Sequence, residues 1–367
     1  MNYKSIGIHK TKNNYILILV ISFITLCIPT KYCHSIELNI NKNTNFEFGG
    51  WIAAEYNYNI DDSPYDLGLN SNASRVFVSG EHSISDSLKL YGKVEYGISY
   101  IEKQHKDVDF IERLMYIGIS SHFGSVEIGR VWSPFYDIAM YSDTNFSFKD
   151  TASGAFFSPV SHIAGFGRSN NSIKYKTSFK LDTSKLFFSA LIGDQKGDNV
   201  NSRVSINTNY GASIRYKYKG YQVGLAHQIA NADGLSNYDD SINATIIGGM
   251  FNSDSFLIGG NYTIGKNNQY DMGLSGNLVN SKGIEGSIHF RFSKSYKVYT
   301  GYNKLTTKKD LYSTEFVNFG LLKNFNKKIA IYTEYRLDLG TTKTSLFFGD
   351  AVSVGLVYFI SDYSHYF

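Results

Sequence analysis

Beyond residue 35 the chain carries a hydrophobic period of two, and that period narrows sharply what it can fold into. Between residues 351 and 360, Val352, Val354, Leu356, Tyr358 and Ile360 share one parity, while Ala351, Ser353 and Gly355 take the other. The same alternation sets Ile284, Ile288, Phe290 and Phe292 against Glu285, Ser287, His289 and Arg291. It sets Ile329, Ile331, Tyr335 and Leu337 against Ala330, Tyr332, Glu334, Arg336 and Asp338. It recurs with Ala212, Ile214, Tyr216 and Tyr218 against Ser213, Arg215, Lys217 and Lys219. A strand with one face in lipid and the other in water needs this pattern. After residue 35 no apolar run approaches the length of a membrane-spanning helix, which takes about 20 residues. The class implied is all-β.

A soluble β-sandwich also alternates, so the spacing of turns carries the next step. Short turns at His122-Phe123-Gly124, Lys219-Gly220, Asn252-Ser253-Asp254, Ser293-Lys294-Ser295 and Asn326-Lys327 each join two such segments. Longer polar stretches at 61–72, 193–209 and 306–314 lie between the hairpins. Short turns at one end and long loops at the other describe an up-and-down antiparallel barrel standing in a membrane. Counting the first strand, seven hairpins and the last strand gives about 16 strands, with 271–280 read as part of a long loop. No linker or charge run interrupts the pattern, so residues 36–367 read as one barrel domain.

The first 35 residues read as a secretory signal peptide. Lys4, Lys10 and Lys12 form a cationic start, an apolar run follows to Ile28, and Cys33-His34-Ser35 precedes the expected cleavage before Ile36. Cleavage removes Cys27 and Cys33, the only cysteines, and with them any disulfide. It also removes Lys4, Lys10, Lys12 and Lys31, so the 36 basic residues fall to equal the 32 acidic ones, and a nucleic-acid partner loses its support. The mean hydropathy of −0.22 resembles that of a soluble protein. The 29 Tyr, 26 Phe and 33 Gly fit instead a barrel with aromatic girdles and a wet lumen.

At several places the chain resembles the general diffusion porins of Gram-negative bacteria. Ser74-Arg75 with Val76, Val78 and Gly80-Glu81 is similar to that family's second strand, and residues 88–97 to its third. Arg113, Tyr116 and Gly118, then Phe123-Gly124 and Gly129-Arg130, resemble the hairpin that launches the long third loop. Val131-Trp132-Ser133-Pro134-Phe135-Tyr136-Asp137 resembles the start of that loop, and Gly167-Arg168-Ser169-Asn170-Asn171-Ser172 the return. A terminal aromatic, here Phe367, is how outer-membrane barrels usually end. The chain departs from the pattern in lacking a Pro-Glu-Phe-Gly-Gly loop tip, in carrying Gly49-Gly50 without a first-strand lysine, and in extending eight residues past Phe359.

The resemblance implies a homotrimer of barrels in the outer membrane, inserted by the barrel-assembly machinery, with Phe367 as the assembly signal. Around it would lie lipid and lipopolysaccharide, and through it would pass small hydrophilic solutes and ions. The third loop, residues 131–167, would fold into the lumen, where irregular backbone is tolerable because it lines water. The pore constriction would then set a basic wall of Arg75, Arg113 and Arg168 against an acidic loop bearing Asp137, Asp143 and Asp150. Arg130, Lys93 and Lys174 are further candidates for the pore lining. Parity supports Arg75 and Arg168 as water-facing. Around Arg113 it is blurred, because Met115, Ile117 and Ile119 share its side. A positive wall opposite a negative loop would produce a transverse field across the pore.

Two other function classes are weighed against a passive channel. An enzyme on a barrel would need a nucleophile or metal motif, and neither Gly-x-Ser-x-Gly nor His-Glu-x-x-His occurs. No cofactor or metal is therefore expected. A surface-loop adhesin or receptor would use the same scaffold. A substrate-selective channel, for a sugar for instance, would use the third-loop aromatics Trp132, Phe135, Tyr136, Tyr141, Phe146, Phe148, Phe156 and Phe157 as a stacking slide. The alternative reading has them packing the loop against the wall, and it is the one preferred here.

Overall fold

A computed structural model describes residues 36–60, 68–101, 108–148, 152–156, 159–201, 203–235, 240–270, 277–308, 313–340 and 349–361. Residues 1–35, expected to be a signal peptide, and Asp150, Phe157 and Phe367 lie outside the described residues.

The strands are β1 (Ile36–Asn41), β2 (Thr44–Asn59), β3 (Leu69–Asn70), β4 (Arg75–Ser85), β5 (Leu88–Ser99) and β6 (Asp109–Ser121). They continue as β7 (Gly124–Trp132), β8 (Arg168–Leu181), β9 (Ser184–Asn199), β10 (Ser205–Tyr218), β11 (Tyr221–Asp233) and β12 (Ser241–Asn252). The rest are β13 (Phe256–Tyr270), β14 (Leu278–Arg291), β15 (Tyr296–Thr307), β16 (Ser313–Asn324), β17 (Ile329–Asp338) and β18 (Ala351–Phe359). Every pairing is antiparallel; apart from β2 with β4, strands pair with their neighbours in sequence, and the sheet closes where β18 meets β2, from Ala351 opposite Asn59 to Phe359 opposite Trp51. Sixteen strands form the wall. The remaining two are accessory: two-residue β3 pairs with Glu55 and Tyr56, and β1 folds back on the first residues of β2. Because β4 holds one edge of those residues, β1 occupies the edge that β18 vacates below Phe359. The first and last strands thus complete one another, and closure leaves no open edge in lipid.

Alternation decides which way each side chain points. Ile284, Ile288, Phe290 and Phe292 are exposed on the outer face, while Glu285, Ser287 and His289 are buried within. All five short turns expected from the sequence join successive strands. Two expected loops are shorter than the sequence suggested. Most of 193–209 is strand, since β9 runs to Asn199 and β10 starts at Ser205, and residues 278–280 belong to β14. Gly, Asn and Ser in these segments weaken the hydrophobic alternation without preventing ladder pairing, so they read as loop.

The lumen is where the fold departs from simple alternation. The connection between β7 and β8 turns inward, carrying two short helices, α1 (Tyr136–Ala139) and α2 (Pro159–Ile163). Its Phe135, Ile138, Tyr141, Val160 and Phe166 pack against Ile206, Ala226, Ala230, Ile242, Ala244 and Ile246. Those wall residues stand on the inward parity of β10 to β12. They are apolar because they face the loop and not water, a burial worth roughly 25 cal/mol per Å² of apolar surface.

Candidate functional site

Polar anchors fix the far side of the loop. On β17 the Glu334 carboxylate accepts backbone N–H groups from Phe146 at 3.3 Å, Ser147 at 3.1 Å and Phe148 at 2.9 Å, plus the Tyr299 hydroxyl at 2.8 Å. On β14 the Glu285 carboxylate accepts the Ser142 hydroxyl at 2.6 Å and the Ser153 N–H at 2.5 Å. Both acids are on inward parity, so alternation placed them in the lumen, but nothing local indicated that a loop more than a hundred residues earlier would supply their donors. Glycine makes room for the loop: a Cβ at Gly259 would overlap the Tyr141 carbonyl oxygen, and one at Gly283 that of Ala152.

With the loop held against β10–β17, a cavity remains on the opposite side. About 400 Å³ in volume, it is bounded by Trp51, Arg75, Arg113 and Arg168 of the wall and by Tyr136, Asp143, Phe156 and His162 of the loop. The structure therefore brings Arg75, Arg113 and Arg168 together and sets Asp143 opposite them. Arg113 gets there through a β-bulge. Glu95 pairs with Leu114 and Tyr96 with Glu112, so Arg113 is the inserted residue and the strand's parity flips at it. That insertion is why the sequence pattern around Arg113 was blurred.

Arg168 needs a correction of the same kind. Parity was counted from Lys174 back to Arg168, but β8 has one extra residue between Ser169 and Ser172, with Asn171 in the left-handed region at φ 43°. The bulge puts the two cations in different places. Arg168 lines the cavity, whereas Lys174 lies under the loop, donating to the Trp132 carbonyl at 3.0 Å and to Asp137 Oδ1 at 3.2 Å.

Asp137 accordingly does not line the cavity with the arginines. Its Oδ2 accepts hydroxyls from Ser189 at 2.7 Å and Ser213 at 2.9 Å. Burial pushes its carboxyl upward, but Lys174 and Arg215 outweigh that and hold it below the usual carboxylate range. Asp137 fastens the root of the loop to β8–β10. Asp143, at the cavity, accepts the Tyr136 hydroxyl at 2.8 Å. Lys93 sits one step behind, 2.9 Å from Glu95 and over the Phe77 ring at 4.0 Å. Arg130 donates to the Arg113 carbonyl at 3.0 Å and to Asn170, bracing the loop base.

Glu95 is the residue that sequence reasoning missed. It receives Arg113 Nε at 2.7 Å, Lys93 at 2.9 Å and Arg75 Nη1 at 3.8 Å, so the chief counter-charge to the arginines comes from the wall and not from the loop. The Arg75 guanidinium also lies 3.9 Å above the Trp51 ring. The loop aromatics divide between two roles. Phe135 and Tyr141 are core, as expected, whereas Trp132, Tyr136, Phe146 and Phe156 line the cavity. Among the described residues no three metal-ligating side chains converge.

A closed 16-strand wall with an inward loop facing clustered arginines narrows the choice of family, and comparison decides it. Residues 37–343 match the model of the Gram-negative porin family. The chain belongs to that family. Outer membrane porin C of Salmonella typhimurium is 24% identical over 323 residues, covering 77% of this chain and 84% of that protein. The solved structure of Salmonella typhi OmpF in complex with daunomycin is similar at a TM-score of 0.74, with 16% identity, over 88% of this chain and all of the other. In vitro folded OmpT of Vibrio cholerae, in a trimer form, is similar at a TM-score of 0.64 with 17% identity, over 87% of this chain and 100% of that one. This porin is thus an outer-membrane β-barrel.

Proposed function

We propose that this porin is a passive, non-enzymatic, water-filled channel for small hydrophilic solutes and ions, with the cavity between loop and arginines as its constriction. The observation that carries the reading is the loop folded inside a closed barrel and fastened so that a cavity remains along the charged wall. Arg75, Arg113 and Arg168 form the basic side, and among the described residues Asp143 is the loop acid that faces it; Asp137 serves as an anchor. Among the described residues four cations, Lys93 and the three arginines, stand at or behind the cavity with two carboxylates, Glu95 and Asp143, so the field favours anions. The barrel works as a homotrimer, a reading supported by the trimer form of the similar Vibrio protein. Residues 1–35 act as a cleaved signal peptide and Phe367 as the assembly signal.

The test is single-channel recording of refolded residues 36–367 in a planar bilayer under a salt gradient. Ohmic steps closing in threes, with a reversal potential on the anion side, are expected. Folded, heat-modifiable protein that gives no steps would end the channel reading, and a cation-side reversal would end this assignment of the field.

A further inference from the structure

Arg168 differs from its neighbours in what holds it. Arg75 donates to the Ala73 carbonyl at 3.2 Å and pairs with Glu95, and Arg113 donates to Glu95 at 2.7 Å. Arg168 is only 6% exposed, and its Nε and Nη1 are sealed from solvent with no acceptor. Its side chain meets the ring faces of Trp132 at 5.3 Å and Phe156 at 5.4 Å. Arg168 nonetheless lines the cavity. A buried cation held by π-faces alone has lost hydration without recovering hydrogen bonds, a cost that an anionic partner removes.

The surroundings define that partner. Trp51, Trp132, Phe146, Phe156 and Phe359 contribute ring surface to the same cavity. Trp132 and Tyr136 are stacked at 4.0 Å with 15° between their planes, and Phe156 stands edge-on to both, so the rings brace one another into a fixed apolar lining. About 400 Å³ is within the usual size of small-ligand sites, which are mostly apolar with a few placed polar groups. A carboxylate supplies the counter-charge that Arg168 lacks, and a flat apolar body suits a cavity lined by rings. Asp143, also at the cavity, repels a second negative charge on the loop side and so favours a monoanion.

We infer that the constriction is a binding site for small organic monocarboxylates with a flat apolar body, paired to Arg168 and packed against the aromatic side chains that line the cavity. This rests on the cavity lying in the conducting path, and it makes the channel selective among anions. Inorganic chloride gains the charge but not the rings. A neutral aromatic gains the rings but not the charge.

The chain has two tryptophans, Trp51 and Trp132, and both line this cavity, so intrinsic tryptophan fluorescence reports on the site. The refolded barrel is titrated with benzoate, with benzamide as the neutral flat control and chloride as the inorganic one. Benzoate should change the emission saturably and outcompete the controls. Arg168→Gln should weaken benzoate roughly ten- to hundredfold, the usual worth of a charge-assisted hydrogen bond. Equal responses to benzoate and benzamide, a response to neither, or an unchanged affinity in folded R168Q would each overturn the inference. The benzoate–benzamide comparison uses the unmodified protein, so it decides the matter even if R168Q fails to fold. Bilayer steps without a benzoate titration would sink the site and leave the channel standing. A titration without steps would do the reverse.

Discussion

Replacing Asp137 by Asn tests how the loop is held. The Lys174 and Asp137 side chains are only 3% and 15% exposed, at an Nζ–Oδ1 distance of 3.2 Å. Asn preserves the shape and an oxygen for the Ser189 and Ser213 hydroxyls, so the change removes charge while Lys174 stays buried. Breaking a buried pair from one side typically costs about 3–5 kcal/mol, because the remaining charge is uncompensated. The urea midpoint of the heat-modifiable barrel should fall accordingly, with an unchanged slope. Removing both charges in D137L/K174M should cost less than either single change, and a double-mutant cycle reads the coupling directly. The dependence on pH has a definite sign. The folded-state carboxyl is depressed, so its contribution is present above the ordinary carboxylate range and is lost as pH falls through the lower folded value. Destabilisation in D137N below about 1 kcal/mol, the range of an exposed pair, would refute the idea that this contact anchors the loop.

Two further outcomes follow from the loop contacts. Gly283→Ala should push the Ala152 segment off the wall, since the new methyl would overlap its carbonyl oxygen, and single-channel conductance should change while the heat-modifiable fold persists. Glu334→Leu removes the acceptor of three loop N–H groups and should cost roughly 1–3 kcal/mol for each one left buried and unpaired, read as a lower urea midpoint and noisier open-channel current.

Chain locality explains what could be read in advance. Alternation at Ile284–Arg291 and Ile329–Asp338 is local, so strand direction and facing could be read directly, and hairpin spacing gave 16 strands because each short turn is a few residues. A bulge adds one residue with no strong composition signature. For that reason parity was blurred at Arg113 and misled the comparison of Arg168 with Lys174, even though both arginines do reach the cavity. The apolar inner face of β10–β12 is in the sequence too, but only the docked loop says why it is apolar.

The barrel, its closure without edges and the presence of a long connection after residue 131 follow from patterns along the chain, while the inward course of that connection came only from the resemblance. A period of two and turn chemistry are properties of neighbours along the chain, and the membrane permits no other all-β solution. Which loop acid meets the arginines was decided only by the tertiary structure. The root of the loop is pinned to Lys174 through Asp137, and its tip to Glu285 and Glu334, which leaves Asp143 at the cavity and makes Glu95 on the wall the main counter-charge. Those partners are separated by tens to nearly two hundred residues, and a charge's role depends on which others it lies within a few ångströms of, a distance the order of residues does not encode.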